Sequence, residues 1–237
     1  MESTLFCHPL AQPWAIAMFD GGPMELALGP QDGDRPRLWA APDHLELRVG
    51  DARHGGAWVD TSELRRRAAE GSILTRACGR LNDARVLDPM AGWGVDALLL
   101  AAAGARVVAV EQEPMLHALA RDLARRVGDE SVEFRLGDGR LALQSADSFD
   151  VVYLDPMFPA HGKSALPSKR MQFTRSLPGS VVDMAPVDVL RWIQVAQPHA
   201  RRRVVLKRRL KDPVVGAPNG QIKGRSVRYD VYRGGAA

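Results

Sequence analysis

From Arg85 onward, the sequence alternates between short apolar segments typical of strands and longer segments typical of amphipathic helices. The strand-like segments RVLD, RVVAVE, VEFRLGD and FDVVYLD accompany the helix-like segments VDALLLAAAG and PMLHALARDLARRVG. Strands and helices that alternate in this way form a parallel sheet with helices on its faces. We therefore predict that residues 85–233 form a doubly wound α/β sheet, which binds its ligands beyond the carboxyl ends of the strands.

Outside this alternation, the chain carries simpler signals. Residues 1–60 contain short apolar pieces separated by Gly, Pro and Asp, which predicts a small β-rich N-terminal region. Apolar spacing predicts a helix over 61–80, with Ser62 as its N-cap, and another helix over 186–195. The segments RRVVLK and VRYDVYR predict two further strands. We therefore divide the chain into the N-terminal region and a main domain of residues 61–237.

Composition indicates a protein with one large core, because 46% of the 237 residues are hydrophobic and 25% are charged. No apolar run approaches the roughly 20 residues that span a bilayer. The N-terminus also lacks the basic start and apolar core of a signal peptide. We therefore expect a cytoplasmic protein with no membrane partner. Cys7 and Cys78 have no CxxC-type partner, so we predict unpaired thiols and no bound metal.

Positive charge is concentrated near the end of the chain. Residues 199–233, which we call the basic segment, contain eleven Lys or Arg residues and two acids, whereas the rest of a chain of net charge +4 is acidic. A solvated surface would account for such a segment, and so would a footprint for a polyanion. Because the charge is concentrated rather than scattered, we favour nucleic acid, held mainly through its phosphates.

Three of the predicted strands end in acidic residues. Asp88 begins the pattern D-x-x-x-G-x-G, in which Gly92 and Gly94 would let the backbone turn tightly and approach a ligand. Glu111 ends the second strand, where a carboxylate would accept hydrogen bonds from ribose hydroxyls. Asp138 lies between two glycines after the third strand, where it would bind an adenine amino group. Each feature alone is compatible with a structural turn, but three in succession predict a nucleotide-like cofactor.

The charge of the first loop favours S-adenosylmethionine over a nicotinamide dinucleotide. A dinucleotide site has the pattern G-x-G-x-x-G and places a pyrophosphate on the helix N-terminus. Here Ala97 stands where the third glycine would be, and Asp88 and Asp96 put negative charge beside the pyrophosphate position. A cofactor with a sulfonium and an amino group suits this loop better. We therefore predict S-adenosylmethionine as the cofactor and S-adenosylhomocysteine as its product.

The fourth acidic strand end is VVYLDPMFP, which joins a carboxylate, a rigid turn and an aromatic ring. We predict that Asp155 lies at the methyl-donating end of the cofactor. Its carboxylate, with a backbone carbonyl held in place by Pro156, would orient the lone pair of an exocyclic purine amine, and Phe158 would stack on the flipped base. Alignment of this kind can supply roughly 7 to 11 kcal/mol. His161 follows this block, but such an amine needs no strong base.

At these residues the chain resembles class I S-adenosylmethionine-dependent methyltransferases, in which D-x-x-x-G-x-G is the cofactor motif and a D-P-P-F-like tetrapeptide marks amine methylation. More narrowly, VVYLDPMFP, KSAL, SLPG, RVVLKR, PDHLELR and GGAWVD resemble the bacterial RsmJ family, over about 42–232. The resemblance implies a seven-stranded Rossmann-like sheet and methylation of the N2 amine of a guanine in the 16S ribosomal RNA of the small subunit. It also implies cofactor contacts after the four strands, at Val95, Asp96, Glu111, Gln112, Asp138, Gly139 and Asp155.

Two groups of basic residues are candidates for RNA contact. One group lies in the loop after the catalytic block, and the other lies at the end of the RRVVLK strand. They are Lys163, Lys169 and Arg170 in the loop, and Arg208, Arg209 and Lys211 after the strand. We expect a monomer that acts on the RNA within the small ribosomal subunit.

Two other functions remain open at this point. The same chemistry would methylate the N6 amine of an adenine in DNA or RNA. A protein with this fold could also serve as a non-catalytic RNA-binding assembly factor. The acids and glycines that catalysis requires are all present, which favours an enzyme over an assembly factor; they are Asp88, Gly92, Gly94, Glu111 and Asp155.

Overall fold

A computed structural model describes residues 3–19, 24–28, 36–50, 55–144, 148–157, 168–177 and 184–235. The N-terminal part contains a four-stranded sheet in the order β2-β1-β3-β4, in which β1 is parallel to both of its neighbours and β3 is antiparallel to β4. These elements are β1 (Ser3–Cys7), α1 (Gln12–Phe19), β2 (Met24–Leu28), β3 (Arg37–Ala40) and β4 (Leu45–Arg48). The prediction of a β-rich N-terminal region agrees with this sheet, and the boundary at residue 60 stays a prediction.

Seven strands form the central sheet, in the order β10-β11-β9-β8-β5-β6-β7. These strands are β5 (Arg85–Asp88), β6 (Arg106–Glu111), β7 (Val132–Leu136), β8 (Phe149–Leu154), β9 (Ala200–Arg209), β10 (Gly220–Lys223) and β11 (Val227–Arg233). The strands β5 to β9 are parallel to their neighbours within that group, whereas β11 lies antiparallel between β9 and β10. The predicted seven-stranded doubly wound sheet is confirmed; the individual segments named in the sequence did not include β10.

Helices cover both faces of this sheet. They are α2 (Thr61–Ala69), α3 (Ile73–Cys78), α4 (Val95–Ala102), α5 (Pro114–Val127), α6 (Gly139–Gln144), α7 (Lys169–Ser176) and α8 (Pro186–Ala196). None of the helices in the described ranges combines the length and apolar character that crossing a membrane requires.

The central strand β8 shows why the sheet is covered on both sides. Val151 and Tyr153 pack into a core with residues of α2, α3, α4 and α5, whereas Val152 and Leu154 pack into a second core with residues of α6 and α8. All four side chains are fully buried. Because side chains alternate between the faces of a strand, an uninterrupted apolar run is what a strand buried on both faces requires.

The segment 61–80 differs from the single helix that its apolar spacing predicts, because it contains the two helices α2 and α3. Gly71, at φ +70°, has the left-handed backbone that commonly follows a helix end. Ser72 then caps α3 by accepting a hydrogen bond from the N–H of Leu74. The N-cap of α2 is Asp60, which accepts a hydrogen bond from the N–H of Ser62, so the predicted cap lay two residues too late in the chain.

A buried carboxylate joins the N-terminal sheet to the central domain. Asp122 on α5 is fully buried, and its Oδ2 accepts a hydrogen bond from the N–H of Leu45 on β4 at 3.0 Å. Arg125 and Arg126 donate to the same carboxylate at 2.7 and 2.8 Å. Arg125 also donates to the carbonyl of Asp43. A single buried acid therefore accepts hydrogen bonds from donors on both sides of the junction.

We expect Asp122→Ala to destabilise the protein by about 3 to 5 kcal/mol, because it removes one partner of a buried charge cluster and leaves the others unsatisfied. Urea unfolding would measure this change. Asp188→Ala is the control, since Asp188 pairs with Arg191 on an exposed turn of α8 and should contribute less than about 1 kcal/mol. Equal losses in the two variants would show that the junction does not depend on Asp122.

Candidate active site

A cavity of about 440 Å³ opens at the carboxyl ends of the parallel strands. This is the edge at which doubly wound sheets bind their ligands. Most of the predicted cofactor residues line the cavity, and so does Pro156 of the predicted catalytic block. The predicted cofactor residues in its wall are Asp88, Gly92, Val95, Asp96, Glu111, Gln112, Asp138, Gly139 and Asp155.

The two glycines of the first loop have different surroundings. A Cβ at Gly92, at φ +54°, would meet no atom within 4 Å, so this backbone faces open space in the cavity wall. Gly94 does not belong to that wall. A Cβ at Gly94 would come within 2.8 Å of the Cβ of Ala120 and 3.0 Å of the Phe134 ring. We infer that Gly92 permits close approach of a ligand, whereas Gly94 permits close packing where β5 turns into α4.

Glu111 holds the first loop against the end of β6. Its Oε2 accepts a hydrogen bond from the N–H of Gly92 at 2.8 Å, and its Oε1 accepts from the N–H of Glu113 at 2.8 Å. Burial raises the pKa of Glu111, and these backbone hydrogen bonds oppose the increase. Each carboxylate oxygen can accept a second hydrogen bond. Glu111 can therefore shape the loop and still offer acceptors to a ribose.

Three charged side chains form a cluster at the tip of β8. The Nζ of Lys207 donates to Oδ2 of Asp155 and to Oδ2 of Asp96, both at 2.7 Å. The hydroxyl of Tyr153 donates to the same Asp96 oxygen at 2.7 Å. Arg67 reaches Oδ1 of Asp96 at 3.4 Å. We call Asp96, Lys207 and Asp155 the charge cluster; it carries one cation for two acids.

Burial and charge act in opposite directions on the pKa values in the charge cluster. Burial raises the pKa of Asp155, and the Lys207 ammonium opposes that increase. Burial would also raise the pKa of Asp96, but Lys207 and the Tyr153 hydroxyl outweigh it, so this pKa is lowered. For Lys207 itself, burial is outweighed by Asp155 and Asp96, which raise its pKa well above the usual value. The ammonium therefore stays protonated throughout the neutral range.

Lys207 was not singled out by the sequence, although the fold makes its position explicable. Leu154 of β8 pairs in parallel with Leu206 of β9. Asp155 and Lys207 follow this pair and therefore lie side by side at the carboxyl ends of the parallel strands, which we call the carboxyl edge. The signal in the sequence was a lysine after the apolar run VVL, which is unusual for a strand that is buried at the centre of a sheet.

The loop after the catalytic block is described only in part. Phe158 and Lys163 lie outside the described residues, so stacking by Phe158 and phosphate contact by Lys163 stay predictions. Arg170 lines the cavity and lies 3.2 Å from the Glu63 carboxylate. Lys169 donates to the carbonyl of Gly55 at 2.8 Å. Lys169 and Arg170, both predicted to contact RNA, therefore also contact residues that precede β5 in the chain.

Strand register divides the basic segment between the two ends of the sheet. Arg233 pairs with Arg203 at the amino edge of β9, and Arg201 lies beyond them. Val227 pairs with Arg209 at the carboxyl edge, where Lys223 ends β10 and Arg225 lies in the turn from β10 to β11. Apart from Lys207, the carboxyl-edge cations of the basic segment that are at least partly exposed are Arg209, Lys211, Lys223 and Arg225.

Arg208 does not fit the predicted role in RNA contact. Its side chain is 6% exposed and lies 3.6 Å from the Asp212 carboxylate, packed inside the carboxyl edge. Arg228 is buried at the same edge and donates to the carbonyls of Arg209, Asp212 and others. On β9 successive side chains alternate between faces, which carries Arg208 inward; sequence charge alone does not distinguish the two faces.

Comparison with known proteins agrees with this geometry. The family model for SAM-dependent methyltransferases matches residues 24–234. A protein of Alkalilimnicola ehrlichii named ribosomal RNA small subunit methyltransferase J is 36% identical over 210 residues, which cover 82% of this chain and 76% of the relative. A protein of the same name from Brucella anthropi is 38% identical, over 73% of this chain and 95% of the relative.

The chain belongs to the ribosomal RNA small subunit methyltransferase J family. The crystal structure of a SAM-dependent methyltransferase from Neisseria gonorrhoeae has the same fold, with a TM-score of 0.75 at 24% identity over 99% of this chain and 97% of that protein. The methyltransferase fold thus extends over the N-terminal sheet as well as the central sheet. Across the described residues of this methyltransferase, no three His, Cys, Asp or Glu side chains are grouped so that they could hold a metal ion.

We expect Glu111→Gln to weaken binding of S-adenosylmethionine to this methyltransferase by about ten- to a hundredfold, because a buried charge-assisted hydrogen bond contributes roughly 1.5 to 3 kcal/mol. Titration calorimetry would measure the affinity. Glu113→Gln is the matched control, since Glu113 caps α5 and is not part of the cavity wall. Unchanged affinity in Glu111→Gln would mean that this carboxylate only holds the loop.

Proposed function

We propose that this enzyme transfers a methyl group from S-adenosylmethionine to the exocyclic N2 amine of a guanine in 16S ribosomal RNA. Its relatives are named as methyltransferases of small-subunit ribosomal RNA. One observation favours an amine as the methyl acceptor. Asp155 is an acid at a strand tip in the cavity wall, and Pro156 follows it directly. A carboxylate in this place can accept an N–H from an amine that is otherwise a poor nucleophile.

The residues of the cavity fit the cofactor that this reaction needs. The Gly92 backbone faces open space, and Asp138 and Glu111 offer acceptors to an adenine amine and a ribose. The acids in the wall suit a cation better than a pyrophosphate. S-Adenosylmethionine supplies a methyl group on a sulfonium, whose carbon–sulfur electron pair returns to sulfur as the new carbon–nitrogen bond forms. We expect no metal to take part.

Asp155 would act on the amine in two ways. Its Oδ2 accepts from Lys207, and its Oδ1 accepts no hydrogen bond from any described residue, so Oδ1 is the oxygen left for the substrate. The side chain is 27% exposed and lines the cavity. Oδ1 would accept one N–H and turn the nitrogen lone pair toward the methyl group. After transfer, the amine must lose one proton, which Oδ1 can accept and pass to water.

The identity of the methylated nucleoside tests the proposed function. Incubation of the enzyme with labelled S-adenosylmethionine and either naked 16S RNA or assembled small subunits, followed by complete digestion, should yield N2-methylguanosine. Comparison of the two substrates would show whether the RNA must be assembled. N6-Methyladenosine as the labelled product, or no labelled nucleoside from either substrate, would contradict the proposal.

In the same assay, Asp155→Ala should lower the rate of methyl transfer by about 10² to 10³, because it removes an acceptor that acts in the transition state. Circular dichroism and the midpoint of urea unfolding, compared with those of the wild type, would show that the variant is folded. A folded Asp155→Ala enzyme with nearly normal turnover would exclude this role for the carboxylate.

The carboxyl edge would hold the RNA, because the exposed cations of the basic segment there lie at the same end of the sheet as the cavity. We expect Lys211→Ala/Arg225→Ala to weaken RNA binding and to lower the slope of log affinity against log salt by about 0.7 to 0.9 for each lost phosphate contact. Arg201→Ala/Arg233→Ala removes the same charge from the amino edge and should leave the slope unchanged. If both pairs change the slope equally, the footprint is not confined to the carboxyl edge.

We place the enzyme in the bacterial cytoplasm, where ribosomal RNA is found, and propose that it acts as a monomer. Phe158, on the base, and Lys163, Lys169, Arg170, Arg209 and Lys211, on the phosphates, complete the proposed substrate contacts.

A further inference from the structure

We propose that Lys207 is a positioning residue, whose ammonium is anchored by Asp96 and keeps the Asp155 carboxylate ionised, with Oδ1 left for the substrate amine. This inference rests on the proposed function, and it assigns to Lys207 a role other than phosphate binding. Two distances carry it, since the Nζ of Lys207 lies 2.7 Å from an oxygen of each acid.

Asp155 needs a cation because of the charges that surround it. Asp96 is a second acid at the same edge, and its charge acts to raise the pKa of Asp155. Like charges that are close together in a buried place disfavour ionisation, whereas an opposite charge within about 4 to 6 Å favours it. The groups that face the cluster from the packed strands also include Tyr153 and Tyr229, neither of which carries positive charge. Within the described part of the chain, Lys207 is the cation that bonds Asp155.

Asp96 provides a fixed anchor for the ammonium. Its Oδ2 accepts from Lys207 and from the Tyr153 hydroxyl, and its Oδ1 faces Arg67 at 3.4 Å. The predicted cofactor contact of Asp96 would therefore have to share oxygens that already accept from the protein. Its side chain is only 11% exposed. We infer that the main task of Asp96 is to hold Lys207, and through it Asp155.

A carboxylate must be ionised to accept an amine N–H at either oxygen without competition from its own proton. Lys207 also removes rotational freedom from Asp155, because it holds Oδ2 from the neighbouring strand β9. A phosphate contact by Lys207 is a poorer account of the geometry, since its ammonium is engaged by two acids and its side chain is 20% exposed.

The pH dependence of kcat/KM on small-subunit RNA separates this role from simple packing. In Lys207→Met, the pKa of Asp155 rises, so the acid limb of the profile should move up by about 1 to 3 pH units. Activity should be lost near neutral pH and recover toward the wild-type value as the pH increases. Lys207→Arg keeps the charge, so its acid limb should stay near that of the wild type.

Two further variants test whether the charges next to Asp155 cause the shift of the acid limb. Asp96→Asn/Lys207→Met also removes the neighbouring acid, so its acid limb should lie between those of Lys207→Met and the wild type. Arg201→Met removes a cation from the other end of β9 and should leave the profile unchanged. Calorimetry with S-adenosylhomocysteine would show that each variant is folded. A Lys207→Met profile with a wild-type limb, or a variant faster than wild type, would overturn the inference.

A readout without RNA separates this inference from the proposed function. Carbon NMR of the Asp155 carboxyl in the free protein should show its pKa raised in Lys207→Met relative to the wild type. If wild-type enzyme methylates no small-subunit RNA but this difference is found, the proposed substrate is wrong and the positioning role stands. If methylation is found but the carboxyl titrates identically in both proteins, only the role of Lys207 fails.

Discussion

The parallel pairing of the five strands β5 to β9 is the constraint on which the rest of this methyltransferase depends. Parallel strands end at one edge, so the acids that follow four separate segments meet around one cavity. The same pairing puts Lys207 beside Asp155, because both follow the paired leucines of β8 and β9. An antiparallel arrangement of β9 would carry Lys207 to the opposite edge and leave the acids without their ammonium.

This edge combines an acidic interior with a basic rim. Asp88, Asp96, Glu111 and Asp155 line the cavity, and burial acts to raise the pKa of each. Exposed cations of the basic segment stand further out at the same edge. A cationic cofactor and a polyanionic substrate need opposite surroundings, and the edge offers both at different depths. Lys207 is the one basic residue of that segment that bonds the cavity acids within the described structure.

The N-terminal sheet packs against the elements that form the active site. Asp122 ties β4 to α5, and α5 follows directly on the Glu111 loop. Trp93 of the glycine loop, which also lines the cavity, donates to the hydroxyl of Thr174 on α7 at 2.8 Å. Arg170 of α7 forms an ion pair with Glu63 of α2. Contacts from the N-terminal half thus hold both the cofactor loop and the helix that follows the catalytic block.

The sequence by itself determined most of the alternation of strands and helices, although not β10, and it also determined the acids at the strand ends and the family. Those features depend on residue type and local spacing, which periodicity and short motifs report directly. It missed the break between α2 and α3 in 61–80, because apolar spacing continues through Gly71 while the backbone there is left-handed.

Only the tertiary structure decided which basic residues are surface and which are not. Arg208 and Arg228 are interior, Arg201 and Arg233 lie at the far edge, and Lys207 belongs to the charge cluster. The physical reason is that the charge of a residue can be read from the sequence, whereas the face of the strand on which it lies and its neighbours in space cannot. Strand pairing and the alternation of side chains assign both, and they do so between residues that are about fifty positions apart in the chain.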